Sequence, residues 1–96
     1  MDTEFIINSS LLFLKFLKEE WNIFVSDIPP IEMTPAQLQL YKEIKANIAN
    51  RRTKVLQLAE LQKRLDLLLL NEDKPEFEKI IKIYKTTIEQ MRRNPK

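Results

Sequence analysis

The chain has 96 residues, a formal net charge of +2 and no Cys, His or Gly, and its length allows one domain. Without Cys it forms no disulfide or thiolate metal site, and without His it lacks the commonest metal ligand and general acid–base. Without Gly it forms no P-loop or Rossmann turn and is poorly suited to tight β-hairpins. We therefore expect an all-α protein that is not an enzyme and that holds neither a metal nor a cofactor.

The charge distribution and the N-terminus bear on location. The net charge is −4 over residues 1–33, +4 over residues 34–70 and +2 over residues 71–96, which favours docking within the chain over nucleic-acid binding. The N-terminus is acidic where a secretory signal is basic. The uncharged run at residues 5–14 is about half the length that spans a bilayer. We expect a cytoplasmic or nuclear protein that does not associate with membranes.

The first predicted helix covers about residues 3–25 and is unusually apolar. Polar side chains recur at helical spacing, at Asn8, Lys15, Glu19 and Asn22. The polar stripe is narrow, so the apolar face wraps most of the way round and must be buried on several sides. A linker follows over residues 26–33, where Pro29 and Pro30 prevent a helix and favour an extended connection.

The second predicted helix covers residues 35–70 and has a well-defined start. Thr34 is the predicted N-cap, Pro35 occupies the first helical position, and Gln37 completes a capping box. No Gly or Pro interrupts the chain before Pro75. The apolar positions keep three-four spacing except around the Asn50-Arg51-Arg52-Thr53 stretch, a weak helix former. We predict one long, coiled-coil-like helix, and the pattern leaves open a bend near Asn50.

The third predicted helix covers about residues 74–93, and Asp73 is its expected cap. Its apolar side chains form a heptad stripe of Phe77, Ile81, Tyr84, Ile88 and Met91, widened by Ile80 and Ile83. The short turn after residue 70 predicts an antiparallel hairpin with the long helix. The fold prediction is therefore three helices in a single domain over residues 1–96, with the apolar first helix docked through the Pro-Pro linker.

Function is predicted from an excess of apolar surface. The first helix carries more apolar side chains than one hairpin covers, and large exposed apolar patches mark partner sites. We therefore predict a protein–protein interaction module, a helical subunit or adaptor that forms a homo- or hetero-oligomer. The residues predicted to bind the partner are aromatic and aliphatic anchors of the first helix, the linker and the next helix: Phe13, Phe16, Trp21, Phe24, Ile28, Ile31, Leu38 and Tyr41.

A basic cluster gives the alternative prediction. The hairpin brings two groups of basic residues together at its open end: Arg51, Arg52, Lys54, Arg92 and Arg93. Such a cluster would bind an anion, and the alternative function is a small nucleic-acid-binding domain. The interpretation without a binding role is a solvated helix end. Asp2 and Glu4 would partly neutralise its charge if the first helix folds back antiparallel.

Overall fold

The computed structural model describes residues 3–25 and 27–93. Regular structure in these residues consists of four helices, α1 (Thr3–Glu19), α2 (Pro35–Ile48), α3 (Lys54–Leu69) and α4 (Pro75–Arg93). The all-α class is thus confirmed, whereas the prediction of three helices is wrong. The chain divides into two compact units, Met1–Asn50 and Arg51–Lys96, which we describe in turn. The prediction of a single domain stays a prediction.

The first helix ends six residues earlier than predicted. Asn22 has a φ of 54°, in the left-handed region that ends right-handed helices. The Ile23 amide then donates a hydrogen bond to the Leu17 carbonyl at 2.9 Å, which folds the chain back over the helix end. Asp27, with a φ of 53°, makes a second such turn. The chain has no Gly. Asn and Asp fill these positions because, among the other residues, they tolerate positive φ best.

Burial of α1 agrees with its wide apolar face. Every residue from Ser10 to Leu14 is buried, and at 100° per residue these five positions point to all sides of the helix. Phe16, Leu17 and the linker residue Val25 extend this core. From α2 the buried contributions are Tyr41, Ile44 and Ile48. The helix is therefore a core element of its unit, as its narrow polar stripe predicts.

Helices α1 and α2 run in the same direction. Phe5 and Thr34, near their starts, line one groove, and near the end of α1 Glu20 lies 3.5 Å from Lys45. The linker must therefore return along the helices, and about 15 extended residues span up to about 50 Å, which is ample. The interpretation of the basic cluster assumed that the first helix folds back antiparallel, and this arrangement is wrong. Glu4 therefore lies near the start of α2. Asp2, and Ser26 of the linker, lie outside the described residues.

The start of α2 forms largely as predicted. The Gln37 amide donates to the Thr34 hydroxyl oxygen at 3.2 Å, and Pro35 opens the helix. The reciprocal half of the capping box is replaced, because the Thr34 amide donates to the Glu32 carbonyl at 3.0 Å. The backbone of the linker thus takes over the role that a Gln37 side chain would play.

The prediction of one helix over residues 35–70 is wrong, because the chain leaves helical structure between Ile48 and Lys54. Thr53 is extended and its hydroxyl accepts a hydrogen bond from the Leu56 amide at 3.3 Å, so it N-caps a new helix. Thr side chains compete with the helical backbone for hydrogen bonds and therefore favour caps. The weak helix formers at residues 50–53 mark the place where one helix ends and the next begins.

The second unit is the predicted helical hairpin, formed by α3 and α4, which pack against each other. All seven residues of the predicted α4 stripe are buried, and from α3 the buried leucines are Leu61, Leu65 and Leu68. The turn at residues 70–74 is closed by backbone hydrogen bonds, including Lys74 N–H to the Asn71 carbonyl at 3.0 Å. Across residues 3–25 and 27–93, no helix is both long and apolar enough to cross a membrane.

Candidate partner-binding surface

The eight residues predicted to bind a partner divide by exposure. Phe13 is fully buried, and Phe16 and Tyr41 are 3% and 7% exposed. Trp21, Ile28 and Ile31 are partly exposed. Phe24 and Leu38 are 74% and 44% exposed. The binding role of the set stays a prediction, and in the free chain only the last five present side-chain surface to a partner.

An aromatic cluster holds the segment that follows α1. The Trp21 ring packs edge-on against Phe16, with centroids 5.0 Å apart, and against Phe13 at 6.3 Å. Edge-to-face contacts of this kind add about 0.5–1.5 kcal/mol each beyond the area that they bury. With Val25 only 3% exposed, the chain is anchored on both sides of Phe24. Phe24 therefore lies exposed between two residues that are packed.

A polar network joins the end of α1 to α2. The Tyr41 hydroxyl donates to Glu19 Oε1 at 2.9 Å, and Lys15 Nζ bonds Glu19 Oε2 at 2.6 Å. The ammonium groups of Lys15 and Lys45 each lie 5.8 Å from the centroid of the Tyr41 ring, within the range of a cation–π contact. The network fixes the helices against each other beside the aromatic cluster.

Two pKa values respond to this network in opposite directions. The hydrogen bond from Lys15 holds the pKa of Glu19 below its ordinary value, with the Tyr41 hydroxyl assisting and partial desolvation opposing. Desolvation raises the pKa of Tyr41 well above its ordinary value, and the neighbouring Glu19 carboxylate raises it further. Near neutral pH Glu19 is therefore charged and Tyr41 protonated, which are the states that the hydrogen bond requires.

The Tyr41→Phe substitution tests the network. It removes the hydroxyl without changing the ring, and we expect it to lower the free energy of unfolding by about 1 kcal/mol at pH 7. A lowered folded-state pKa contributes stability above the unfolded-state pKa and loses it as pH falls through the folded value. The difference between the two proteins should therefore shrink at acid pH. Urea unfolding at pH 7 and pH 3 measures this, and an equal difference at both would contradict it.

A groove of about 810 Å³ lies where α1, the linker and α2 meet. Its apolar lining includes Phe5, Leu11, Ile31 and Leu40, and its acidic lining residues are Glu4, Glu32 and Glu43. No basic side chain is among its described lining residues. Its apolar and acidic lining therefore suits a segment that presents apolar and basic side chains together. The sequence prediction included Ile31 but missed the groove, because the parallel course of the helices was not foreseen.

Two of the five predicted anion-binding residues, Arg51 and Arg93, pair with carboxylates of their own unit. Arg51 lies 3.6 Å from Glu60, a carboxylate that is only 8% exposed and that Arg64 contacts at 3.1 Å. Arg93 pairs with Glu89 one turn earlier. The remaining predicted members differ in exposure: Arg52 and Arg92 are exposed, whereas the Lys54 ammonium is shielded from solvent and has no hydrogen-bond partner among the described residues. Anion binding by this set stays a prediction.

The apolar pattern of α3 predicts its buried side correctly at Leu61, Leu65 and Leu68 and fails at the start of the helix. Val55 continues the apolar three-four spacing that predicts burial, yet it is 76% exposed. Val55, Leu58 and Leu61 are spaced by three, so each step turns the side chain about 60° away from the last. The run Leu67–Leu70 correctly predicts exposed leucines, since four consecutive leucines on a helix cannot all face one side. Leu67 and Leu70 are 52% and 79% exposed.

Comparison with known proteins adds no family. No family model, no curated protein and no solved structure matches this chain. Within the part of the chain that the structure describes, no group of three or more His, Cys, Asp or Glu side chains is arranged to hold a metal ion.

Proposed function

We propose that this protein is a binding subunit or adaptor of a larger intracellular assembly, in the cytoplasm or nucleus, and that it performs no catalysis. The observation that carries the proposal is Phe24, a large aromatic side chain that is 74% exposed although Trp21 and Val25 on either side of it are packed. An aromatic residue anchored in this way loses little conformational entropy on binding. Aromatic anchors of this type contribute strongly to protein interfaces.

Other features of the same unit support a protein partner. Leu38 and Met33 add exposed apolar side chains at 44% and 37%, and Ile28 is partly exposed in the linker. The buried members of the predicted set contribute indirectly. Phe13 and Phe16 pack against Trp21, and Tyr41 bonds Glu19 at the end of α1. The acidic groove would add selectivity for a partner whose apolar segment carries basic residues, because complementary charge favours the right partner and speeds association.

The alternative function, nucleic-acid binding through the basic cluster, has less support. Arg51 and Arg93 already pair with carboxylates, and the Lys54 ammonium is withdrawn from solvent. Duplex and single-stranded nucleic acid titrated at two salt concentrations test this alternative. Binding that weakens steeply with salt would support it, because neutralised phosphates release counterions.

Site-specific crosslinking tests the proposal. A photoreactive phenylalanine analogue at position 24 should give one adduct of defined mass in extracts of the source cells. The matched control carries the same analogue at position 55, an exposed apolar residue of the other unit, and should not give that adduct. Phe24→Ser should abolish co-purification of the crosslinked protein and leave the free energy of unfolding unchanged. No adduct specific to position 24 would contradict the proposal.

A further inference from the structure

The outer face of α3 carries an exposed stripe with a regular pattern. Leu56, Ala59, Lys63, Asp66 and Leu70 are spaced three, four, three and four residues apart, and all are exposed. This spacing is that of a coiled-coil seam. Leu67, 52% exposed, lies at its edge. We call this set the α3 outer stripe. It lies on the second unit and shares no residue with the predicted partner-binding set that includes Phe24.

The order of residues in the α3 outer stripe is self-complementary from Ala59 to Leu70, and Leu56 lies outside this stretch. Its centre lies midway between Lys63 and Asp66, which carry opposite charges. In an antiparallel pair of such helices, residue i of one copy faces residue 129 − i of the other. Lys63 then faces Asp66 of the second copy, and the small Ala59 faces the large Leu70. A two-fold interface requires this symmetry, because each contact occurs twice.

The charged pair is available for such contacts. No ion pair of Lys63 is found among the described residues, and the Lys63 side chain does not pair with Asp66 of its own helix. Asp66 accepts one hydrogen bond, from Gln62 Nε2 to its Oδ1 at 2.9 Å. Its Oδ2 atom can therefore accept a hydrogen bond from a lysine of another copy.

We propose that two copies of this chain associate through the α3 outer stripe, in antiparallel orientation, with two reciprocal Lys63–Asp66 ion pairs at the centre. The seam from Ala59 to Leu70 is about 16 Å long at 1.5 Å per residue. An interface of this length falls below the standard size of roughly 1,200–2,000 Å², so the dimer is weak and reversible. Its dissociation constant falls between about 1 μM and 1 mM.

Sedimentation equilibrium of the full chain between about 10 μM and 1 mM, the span set by that affinity, tests the proposal. The wild-type protein should show a reversible monomer–dimer equilibrium. Lys63→Asp alone and Asp66→Lys alone should each raise the dissociation constant at least about tenfold, because like charges then face each other at two places. Lys79→Asp, at an exposed lysine of α4, is the matched control and should leave the constant unchanged.

Charge exchange distinguishes this orientation from other contacts. The double variant K63D/D66K should dimerise as the wild type does, and an equimolar mixture of the two single variants should form a heterodimer. Circular dichroism confirms that each variant is folded. A wild-type chain that stays monomeric at about 1 mM would overturn the proposal, as would single variants that dimerise equally well or a mixture that does not restore association. Phe24→Ser should leave the monomer–dimer equilibrium unchanged. The test can therefore contradict this proposal without contradicting the proposed function, and the reverse also holds.

Discussion

Phe13→Ala should lower the free energy of unfolding by about 3–5 kcal/mol, the usual cost of removing a buried phenylalanine ring. Phe13 is fully buried and contacts two other rings, stacking on Phe16 at 6.5 Å and meeting Trp21 edge-on at 6.3 Å. The substitution removes these contacts and leaves a cavity beneath the segment that carries Phe24. A domain of this size has a total stability of about 5–15 kcal/mol, so the variant should be partly unfolded at modest temperature.

Fluorescence gives a direct measurement for Phe13→Ala. The protein has one tryptophan, and Trp21 packs on the removed ring, so its emission should shift to the red at a lower urea concentration than in the wild type. The matched control is Phe24→Ala, which removes the same ring from a position 74% exposed and should change stability by less than about 0.5 kcal/mol. Equal losses for both variants would show that Phe24 is not an exposed side chain.

Glu60→Ala should produce the second largest effect, a loss of about 2 kcal/mol. Glu60 is 8% exposed and accepts contacts from Arg51, in the segment before α3, and from Arg64, one turn along the helix. Removing the carboxylate removes an ion pair from each of two guanidinium groups. Both are partly exposed to solvent, which places the expected cost below the 3–5 kcal/mol typical of a fully buried pair.

The exposed pair in the same unit is a control for Glu60→Ala. Glu89 pairs with Arg93 at the same four-residue spacing, but both side chains are more than half exposed. Surface pairs of this kind contribute about 0.2–1 kcal/mol, so Glu89→Ala should cost much less. Thermal unfolding followed by circular dichroism compares the two. A Glu60 variant no less stable than the Glu89 variant would mean that burial of this carboxylate has no energetic consequence.

The sequence predicts the elements whose signals are local. The cap at Thr34 and the α4 stripe from Phe77 to Met91 depend on residues within a few positions of one another, and both are confirmed. The end of α1 was missed, because Trp21, Ile23 and Phe24 continue an apolar pattern that suits a buried helix as well as a linker. The left-handed Asn22 ends the helix locally, and Trp21 returns onto two rings. The apolar pattern shows neither feature.

The long central helix failed as a prediction for a related reason. A pattern of apolar residues spaced by three and four does not reveal whether the chain stays helical through a few polar positions. Thr53 caps α3 and Arg51 forms an ion pair with Glu60, and both contacts belong to the interrupted form. The predicted binding residues were a mixture of core and surface for the same reason, because exposure depends on which side each helix turns inward.

The interruption between α2 and α3 also bears on how this sequence can change in length. Adding or deleting one residue inside a helix rotates all later side chains by about 100° relative to the earlier ones, which would move buried leucines into water. Residues 49–53 are not helical, so a change in length there does not rotate the side chains of one helix relative to each other. Homologous sequences, if they vary in length, should accommodate the variation there, while the spacing within α3 and α4 stays constant.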